Sequence, residues 1–173
     1  QFLIVQFAAW KLGAIVAPLS PIYTEYELEP LLRAHDIQTI VTLTRFYPRV
    51  KHLQARTPLR RIIATNIKEH FPPALRLLFT LLRETRDGDR VTIEAGDHEL
   101  ARLLSGARGL QPRREPVGPD DPAVLLMSGG TTGIPKGALG KHGAYVLTGL
   151  QIHAWTASVL GDEMALAFQR HAP

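Results

Sequence analysis

The residues best equipped for chemistry lie in one stretch, Met127-Ser128-Gly129-Gly130-Thr131-Thr132-Gly133-Ile134-Pro135-Lys136-Gly137. Glycines 129, 130 and 133 leave room for successive backbone N–H groups to converge on anionic oxygens, where a Cβ would stand in the way. Ser128, Thr131 and Thr132 add rotatable hydroxyl donors, and Lys136 adds a compact positive charge. Such a mixture suits a polyphosphate. It is not a Walker loop, in which Gly-Lys is followed at once by Ser or Thr at the opening of a helix; here Lys136 is followed by Gly137-Ala138-Leu139. The competing reading is a flexible Gly/Thr turn between two strands.

Positioning such a loop takes a rigid frame. The run Ala123-Val124-Leu125-Leu126 immediately before it has the length and bounding signals of a buried strand. Further upstream, Phe2 to Leu12 is apolar on nearly every face and ends at Gly13, which predicts a buried helix, and Ala14 to Ala17 predicts a short buried strand closed by Pro18. Thr24-Glu25-Tyr26-Glu27 is a capping box with Leu28, Leu31 and Leu32 on one face. Pro30 conflicts with it, so the helix is expected either to kink there or to start late, near Glu29. Thr39–Leu43 and Arg61–Thr65 read as strands, with an exposed basic helix over Tyr47 to Arg56 between them. Helices alternating with short β-branched runs give an α/β fold with a mostly parallel sheet and helices on both faces.

The chain has 173 residues, a net charge of +4 and a pI near 9.7, which fits anionic partners. Its basic residues are scattered and its aromatics few, which argues against nucleic acid. There is no cysteine, so disulfides, thiolate metal sites and cysteine nucleophiles are excluded together. No spacing matches a zinc or calcium site, so no metal ligand is assigned. The first residue is Gln1, and Phe2 to Trp10 is too short to span a bilayer, which reads as a piece of a longer protein.

Residues 72–83 form a second unusual stretch. Pro72-Pro73 suits a helix start. At helical spacing Arg76, Thr80 and Arg83 make a narrow polar stripe against leucine and phenylalanine. Two readings stand: an apolar face packed on protein, or a helix lying in a membrane interface with its arginines toward anionic headgroups. Asp87-Gly88 marks a turn in a charged segment, and Asp97 is expected to cap a short helix stopped near Gly106. Residues 106–122, rich in proline and glycine, form a connector. Gly143 to Leu160 reads as a helix and Met164 to Phe168 as a further buried strand. His142 stands at the mouth of that helix, either as a group near the phosphates or as an ordinary helix-entry histidine, and His153 and Trp155 are expected to pack.

The loop with its doubled glycine, Gly129-Gly130-Thr131-Thr132-Gly133, closely resembles the phosphate-binding signature of the adenylate-forming superfamily, the acyl-CoA synthetases and ligases, and is most similar to the long-chain fatty-acid–CoA ligases. Trp10-Lys11-Leu12-Gly13-Ala14-Ile15-Val16-Ala17-Pro18-Leu19 and Tyr23 to Leu28 resemble the segment upstream of that loop. Pro30, Gly140, Lys141 and Gly143 depart from the pattern. So does Gln169-Arg170-His171-Ala172-Pro173, which stands where the family has a proline and then an aromatic-histidine pair; a shifted reading frame would produce such a string.

The resemblance implies that residues 1–173 are part of the large N-terminal AMP-binding domain, with the phosphate loop at 127–137. It implies catalytic roles for Lys136 and Thr131 and cofactor contacts from Ser128, Gly129, Gly130, Thr131, Thr132, Gly133 and Lys136. The implied substrates are a fatty acid, ATP with Mg2+, and coenzyme A, in a cytoplasmic protein; the residues of 72–83, not the resemblance, offer a peripheral contact at the inner membrane face as one of their two readings. The truncated chain is expected to be inactive alone. Residue chemistry leaves two alternatives beside the ligase: a phosphate-binding module without catalysis, and a membrane-surface element.

Overall fold

The computed structural model describes residues 1–111, 115–127 and 136–160. They fall into two compact units, one built on residues 1–5 and 19–111, the other on residues 6–18, 115–127 and 136–160.

The first unit is an α/β arrangement around a parallel sheet. Thr24 caps helix α2 (Glu25–Ala34): its side chain accepts from the Glu27 N–H, and the Glu27 carboxylate accepts from Thr24 N at 2.8 Å. The expected capping box is therefore closed, and the late start near Glu29 is overturned. The box supplies the first turn, and Leu28, Leu31 and Leu32 become buried. The helix runs through Pro30, whose missing N–H leaves the carbonyl of Tyr26 without its helical donor; Tyr26 is exposed, so water can serve it.

Strands β1 (Thr39–Leu43) and β2 (Arg61–Thr65) form where the β-branched runs predict them and pair in parallel, Thr39 opposite Arg61 through Leu43 opposite Thr65. Between them lies α3 (Tyr47–Gln54), preceded by a short 3-10 turn. It is a helix as expected, but it is not exposed: Tyr47, Val50 and Leu53 are buried. Those three residues recur at i, i+3 and i+6, one face of a helix, and the basic residues between them occupy the other. They join Leu28, Leu32, Leu59, Ile62 and Ala64 in a single core, so α2 and α3 share a face of β2.

A third strand, β3 (His98–Glu99), extends the sheet in parallel and leads directly into α5 (Leu100–Gly106). Asp97 does not cap α5. Glu99 occupies the cap position without a side-chain bond, and Asp97 instead accepts from Tyr47 Oη and Lys51 Nζ, both at 2.8 Å. The segment from 84 to 97 is tied to the unit by such polar anchors. Asp89, 1% exposed, accepts from Thr44 Oγ1 at 3.2 Å and pairs with Arg45. Glu84, also buried, meets Lys68 Nζ at 2.6 Å, and Asn66 Nδ2 donates to Glu84 and to the carbonyl of Asp89. The Asp87-Gly88 turn is present, with Gly88 at φ +76°.

Helix α4 (Pro73–Leu82) fills the second unusual stretch and buries none of its residues. None of the described helices is long and apolar enough to cross a membrane.

Candidate functional site

The second unit carries the frame of the loop. Its first element is α1 (Phe2–Lys11), which ends at Gly13 in the left-handed region, φ +68°. There Gly13 N donates to the Trp10 carbonyl at 3.1 Å and Ala14 N to Ala9 at 2.9 Å, the reversal a glycine permits cheaply. The helix matches its expected span but not its expected burial: Phe2, Leu3 and Phe7 are exposed. The turn delivers Val16 alongside β4 (Pro122–Met127), with Val16 N donating to Ala123 O at 3.0 Å and Leu125 N to Val16 O at 2.9 Å. The strand expected over Ala14 to Ala17 is thus reduced to one parallel bridge, Val16 to Val124.

Ala123 has no partner on the neighbouring strand, because the register slips between Pro122 and Val124. Its carbonyl accepts instead from two donors, Val16 N and Trp10 Nε1, the latter at 2.9 Å. Ala123 and Val124 are buried, while Leu126 is half exposed. Trp10 is the positioning residue that sequence reasoning missed. It entered only as a letter in a longer resemblance, and a lone tryptophan in an apolar helix gives no sign of which carbonyl its indole will find.

Strand β5 (Gly137–Lys141) returns antiparallel to β4, with Met127 opposite Gly137, Leu126 opposite Ala138, Leu125 opposite Leu139 and Val124 opposite Gly140. The sequence Gly-Ala-Leu-Gly-Lys contains no strand-forming residue, which is why this element was not expected. Its consequence is geometric: the chain leaves the sheet at Met127 and re-enters it opposite, at Gly137. Lys136, exposed, is the residue on which it re-enters. Ser128, Gly129, Gly130, Thr131, Thr132 and Gly133 lie outside the described residues, so Lys136 alone of the candidate site residues has a described position. Met164 to Phe168 lies outside them too.

The other end of the hairpin is fixed by the turn over Gly118 to Asp121. Gly118 N donates to Asp121 Oδ2 at 2.7 Å, and Asp121 N to Gly118 O at 3.2 Å. Helix α6 (His142–Leu160) starts against this turn, with His142 N donating to Asp121 O at 3.0 Å and Gly143 N to Pro119 O at 2.8 Å. A Cβ at Gly143 would sit 2.9 Å from the Pro119 carbonyl oxygen, so only glycine allows this approach. Lys141 pairs with Asp120 at 2.9 Å.

His142 stands at this end. Its preceding residue pairs with Pro122, and strand geometry puts the Met127–Gly137 rung roughly 15 Å away. Its ring meets Trp10 edge-on at 5.6 Å between centroids, and its Nε2 makes no hydrogen bond among the described residues. His142 packs on Trp10 at the entry of α6; the reading that sets it near the phosphates turns on residues 128–135, which lie outside the described residues. Beside His142 lies an open apolar cleft of about 680 Å3, lined by Phe7, Trp10, Val117, Pro119, Val146 and Leu150 among others. His153 and Trp155 do not pack as expected: both are exposed, Trp155 at 67%. Among the described residues no group of three or more His, Asp or Glu side chains is placed to hold a metal ion.

In the first unit, four titratable groups near the sheet are perturbed by their surroundings. Burial works against the Asp97 carboxylate, but bonds from Lys51 and Tyr47 outweigh it and hold its pKa below the ordinary value. The same bond from Asp97 raises Lys51, and Asp89 raises Arg45. Burial raises the Tyr47 phenol. These are structural ion pairs on the 84–97 segment, and none involves a candidate site residue.

Fold and hairpin together define a mixed α/β arrangement built on a parallel sheet, a fold shared with solved CoA ligases. A long-chain-fatty-acid-CoA ligase from Archaeoglobus fulgidus superposes with a TM-score of 0.63 over 87% of this chain and 24% of its own, at 22% identity. An anthranilate CoA ligase in complex with anthranoyl-AMP gives 0.62 over 90% of this chain and 25% of its own, also at 22% identity. The model of the AMP-binding enzyme family matches residues 1–168, and the chain belongs to that family. It is similar to a long-chain-fatty-acid–CoA ligase of Bacillus subtilis, 28% identical over 160 residues, which are 92% of this chain and 29% of the relative. A ligase with the same description from Escherichia coli is 25% identical over 150 residues, 82% of this chain and 26% of its own length. The chain therefore spans less than a third of the relatives it matches.

Proposed function

We propose that this chain supplies the phosphate-loop part of the N-terminal AMP-binding domain of a long-chain fatty-acid–CoA ligase, with 106–122 as connector and 127–137 as loop. The reaction has two steps. A fatty-acid carboxylate oxygen attacks the α-phosphorus of ATP, the bond to the leaving pyrophosphate breaks, and an acyl-adenylate forms. The coenzyme A thiol then attacks the acyl carbon and AMP leaves with the bonding electrons. Negative charge grows on phosphate oxygens in the first step, so donors fixed in advance around them lower the barrier.

The observation that carries this reading is the rung between Met127 and Gly137, which closes the loop onto the sheet and returns it through Lys136. Strand pairing on both sides of β4 holds the exit of the loop, so its donors can be pre-organised rather than recruited. In this reading Lys136 and Thr131 act on the transferring phosphates, and Ser128, Gly129, Gly130, Thr132 and Gly133 hold the pyrophosphate side. No cage for Mg2+ exists among the described residues, so none is assigned to it; Mg2+ would arrive on the ATP phosphates, as this ion usually does. We place the protein in the cytoplasm, with a peripheral lipid contact through 72–83.

Fatty-acid-dependent exchange between ATP and pyrophosphate tests the assignment. Lys136→Ala is expected to slow exchange by roughly a hundredfold or more, the scale of losing one pre-organised donor. Unchanged exchange removes Lys136 from the mechanism. The exchange is measured in the full-length ligase of which this chain is proposed to be a part, and ATP binding there without any exchange would establish the non-catalytic phosphate-binding module instead.

A further inference from the structure

Among the described helices, α1, α4 and α6 each leave at least three large apolar side chains more than half exposed, but they are built differently. α1 and α6 are apolar in the main and have no distinct polar face. α4 has two distinct faces. Its polar stripe touches its own unit at Thr80, whose Oγ1 accepts from Lys68 Nζ at 3.1 Å, while Lys68 also holds buried Glu84 just past the helix end; Arg76 and Arg83 are exposed, and Arg83 pairs with Asp87 at 3.5 Å. Phe79 adds an edge-on contact with Phe71, 5.6 Å between centroids. The leucines take no part in this docking. Leu75, Leu77, Leu78, Leu81 and Leu82 are between 53% and 72% exposed. The helix is fastened through Thr80 and Phe79 and presents its leucines.

We propose that α4 seats this protein on an anionic lipid bilayer leucines first, with Arg76 and Arg83 reaching around its edge to the headgroups. This reverses the pose suggested by the stripe alone, in which the arginines lead. Residues 70–83 contain two arginines and a histidine and no acidic residue, so the rim of the leucine face is complementary to negative lipid. The same charge opposes a second copy of the chain, because a two-fold contact through this face would bring like charges together. Ten helical residues are too few to cross a bilayer and enough to lie in its surface, and long arginine side chains can cover apolar surface while keeping their charge in water. The proposal deepens the peripheral contact assigned to 72–83 and is independent of the ligase reading, since its test needs no catalysis.

The test is flotation of the protein with vesicles of pure phosphatidylcholine and with vesicles containing about one-third phosphatidylglycerol. The protein should float with the anionic vesicles. Leu78→Glu with Leu81→Glu should lower the bound fraction by roughly tenfold or more while leaving the melting temperature unchanged, because both leucines are exposed. Arg76→Ala with Arg83→Ala should weaken binding to anionic vesicles several-fold and leave any binding to neutral ones as it was. Undiminished flotation of the leucine variant overturns the proposal. So does a marked fall in its melting temperature, which would mean the face is covered by the protein itself, and so does a wild-type dimer in light scattering that the leucine variant converts to monomer.

Discussion

Asp97 and Lys51 show how single residues hold the first unit together and why they were invisible in the sequence. The Asp97 side chain is 1% exposed, and its partner lies 46 positions away. Read locally, an aspartate before a leucine-rich run is a helix cap; only the fold reveals its real donors. The depressed pKa of Asp97 means that the folded state favours its charged form. That stability is fully present above the unfolded value, about 3.9, and is lost as pH falls through the lower folded value. The raised pKa of Lys51 adds stability that is present below about 10.4 and lost as pH rises through its folded value. Asp97→Asn should therefore cost about 2 kcal/mol in urea unfolding at pH 7. The gap to wild type should close as pH falls through the depressed folded value of Asp97. A gap that persists below that value would mean the residue acts through its shape rather than its charge.

Gly143 and Gly149 offer a second comparison at this scale, because both lie in α6 and their surroundings differ. A Cβ at Gly149 meets nothing within 4 Å, whereas one at Gly143 meets a backbone oxygen at 2.9 Å. Gly149→Ala should stabilise the protein by about 0.5–1 kcal/mol through helix propensity. Gly143→Ala should destabilise it by about 1–2 kcal/mol, because the turn at Pro119 must move. Thermal unfolding of the two variants reads out both signs, and equal signs would show that α6 does not start against that turn. The sequence marked Gly143 as a departure from the family pattern. Its reason, the close approach of Pro119, needed coordinates.

Among the elements, those specified by neighbouring residues were legible. The Thr24–Glu27 box, the β-branched runs of β1 and β2 and the Gly13 stop were all read where they occur, because the signal for each lies within a few positions. The element defined by its partner was not: β5 is a strand only because β4 lies beside it. α3 was legible in span and misread in burial, although the spacing of Tyr47, Val50 and Leu53 was available to correct it. Pro30 in α2 supplies the prediction here. The helix tolerates it because capping and three buried leucines outweigh one lost bond. Restoring that bond with Pro30→Ala should raise stability by about 2 kcal/mol, less than the full interior penalty because the unfolded chain gains freedom too. A melting temperature that falls would show that the proline ring itself packs in the unit.

For the whole molecule the decisive quantity is uncovered apolar surface. Composition places the chain among ordinary globular proteins, yet Phe7 on α1 and Leu150, Ile152, Trp155 and Val159 on α6 are all more than half exposed. A helix apolar on every side gains its stability from burial on every side, and a monomer that leaves several such side chains in water invites association. The sequence made α1 legible as a buried helix and α6 as a helix whose His153 and Trp155 pack; which side chains stay open is a matter of tertiary packing, which no periodicity can state. Expressed as these 173 residues, the protein should bind a hydrophobic dye strongly and self-associate at micromolar concentration. Phe7→Glu with Leu150→Glu should reduce both, since these residues flank the same cleft. The α4 leucine variant should reduce them less, because that face is a single stripe on one short helix. Sedimentation velocity with dye titration separates the cases: a monodisperse chain with little dye binding would mean that α1 and α6 are covered after all.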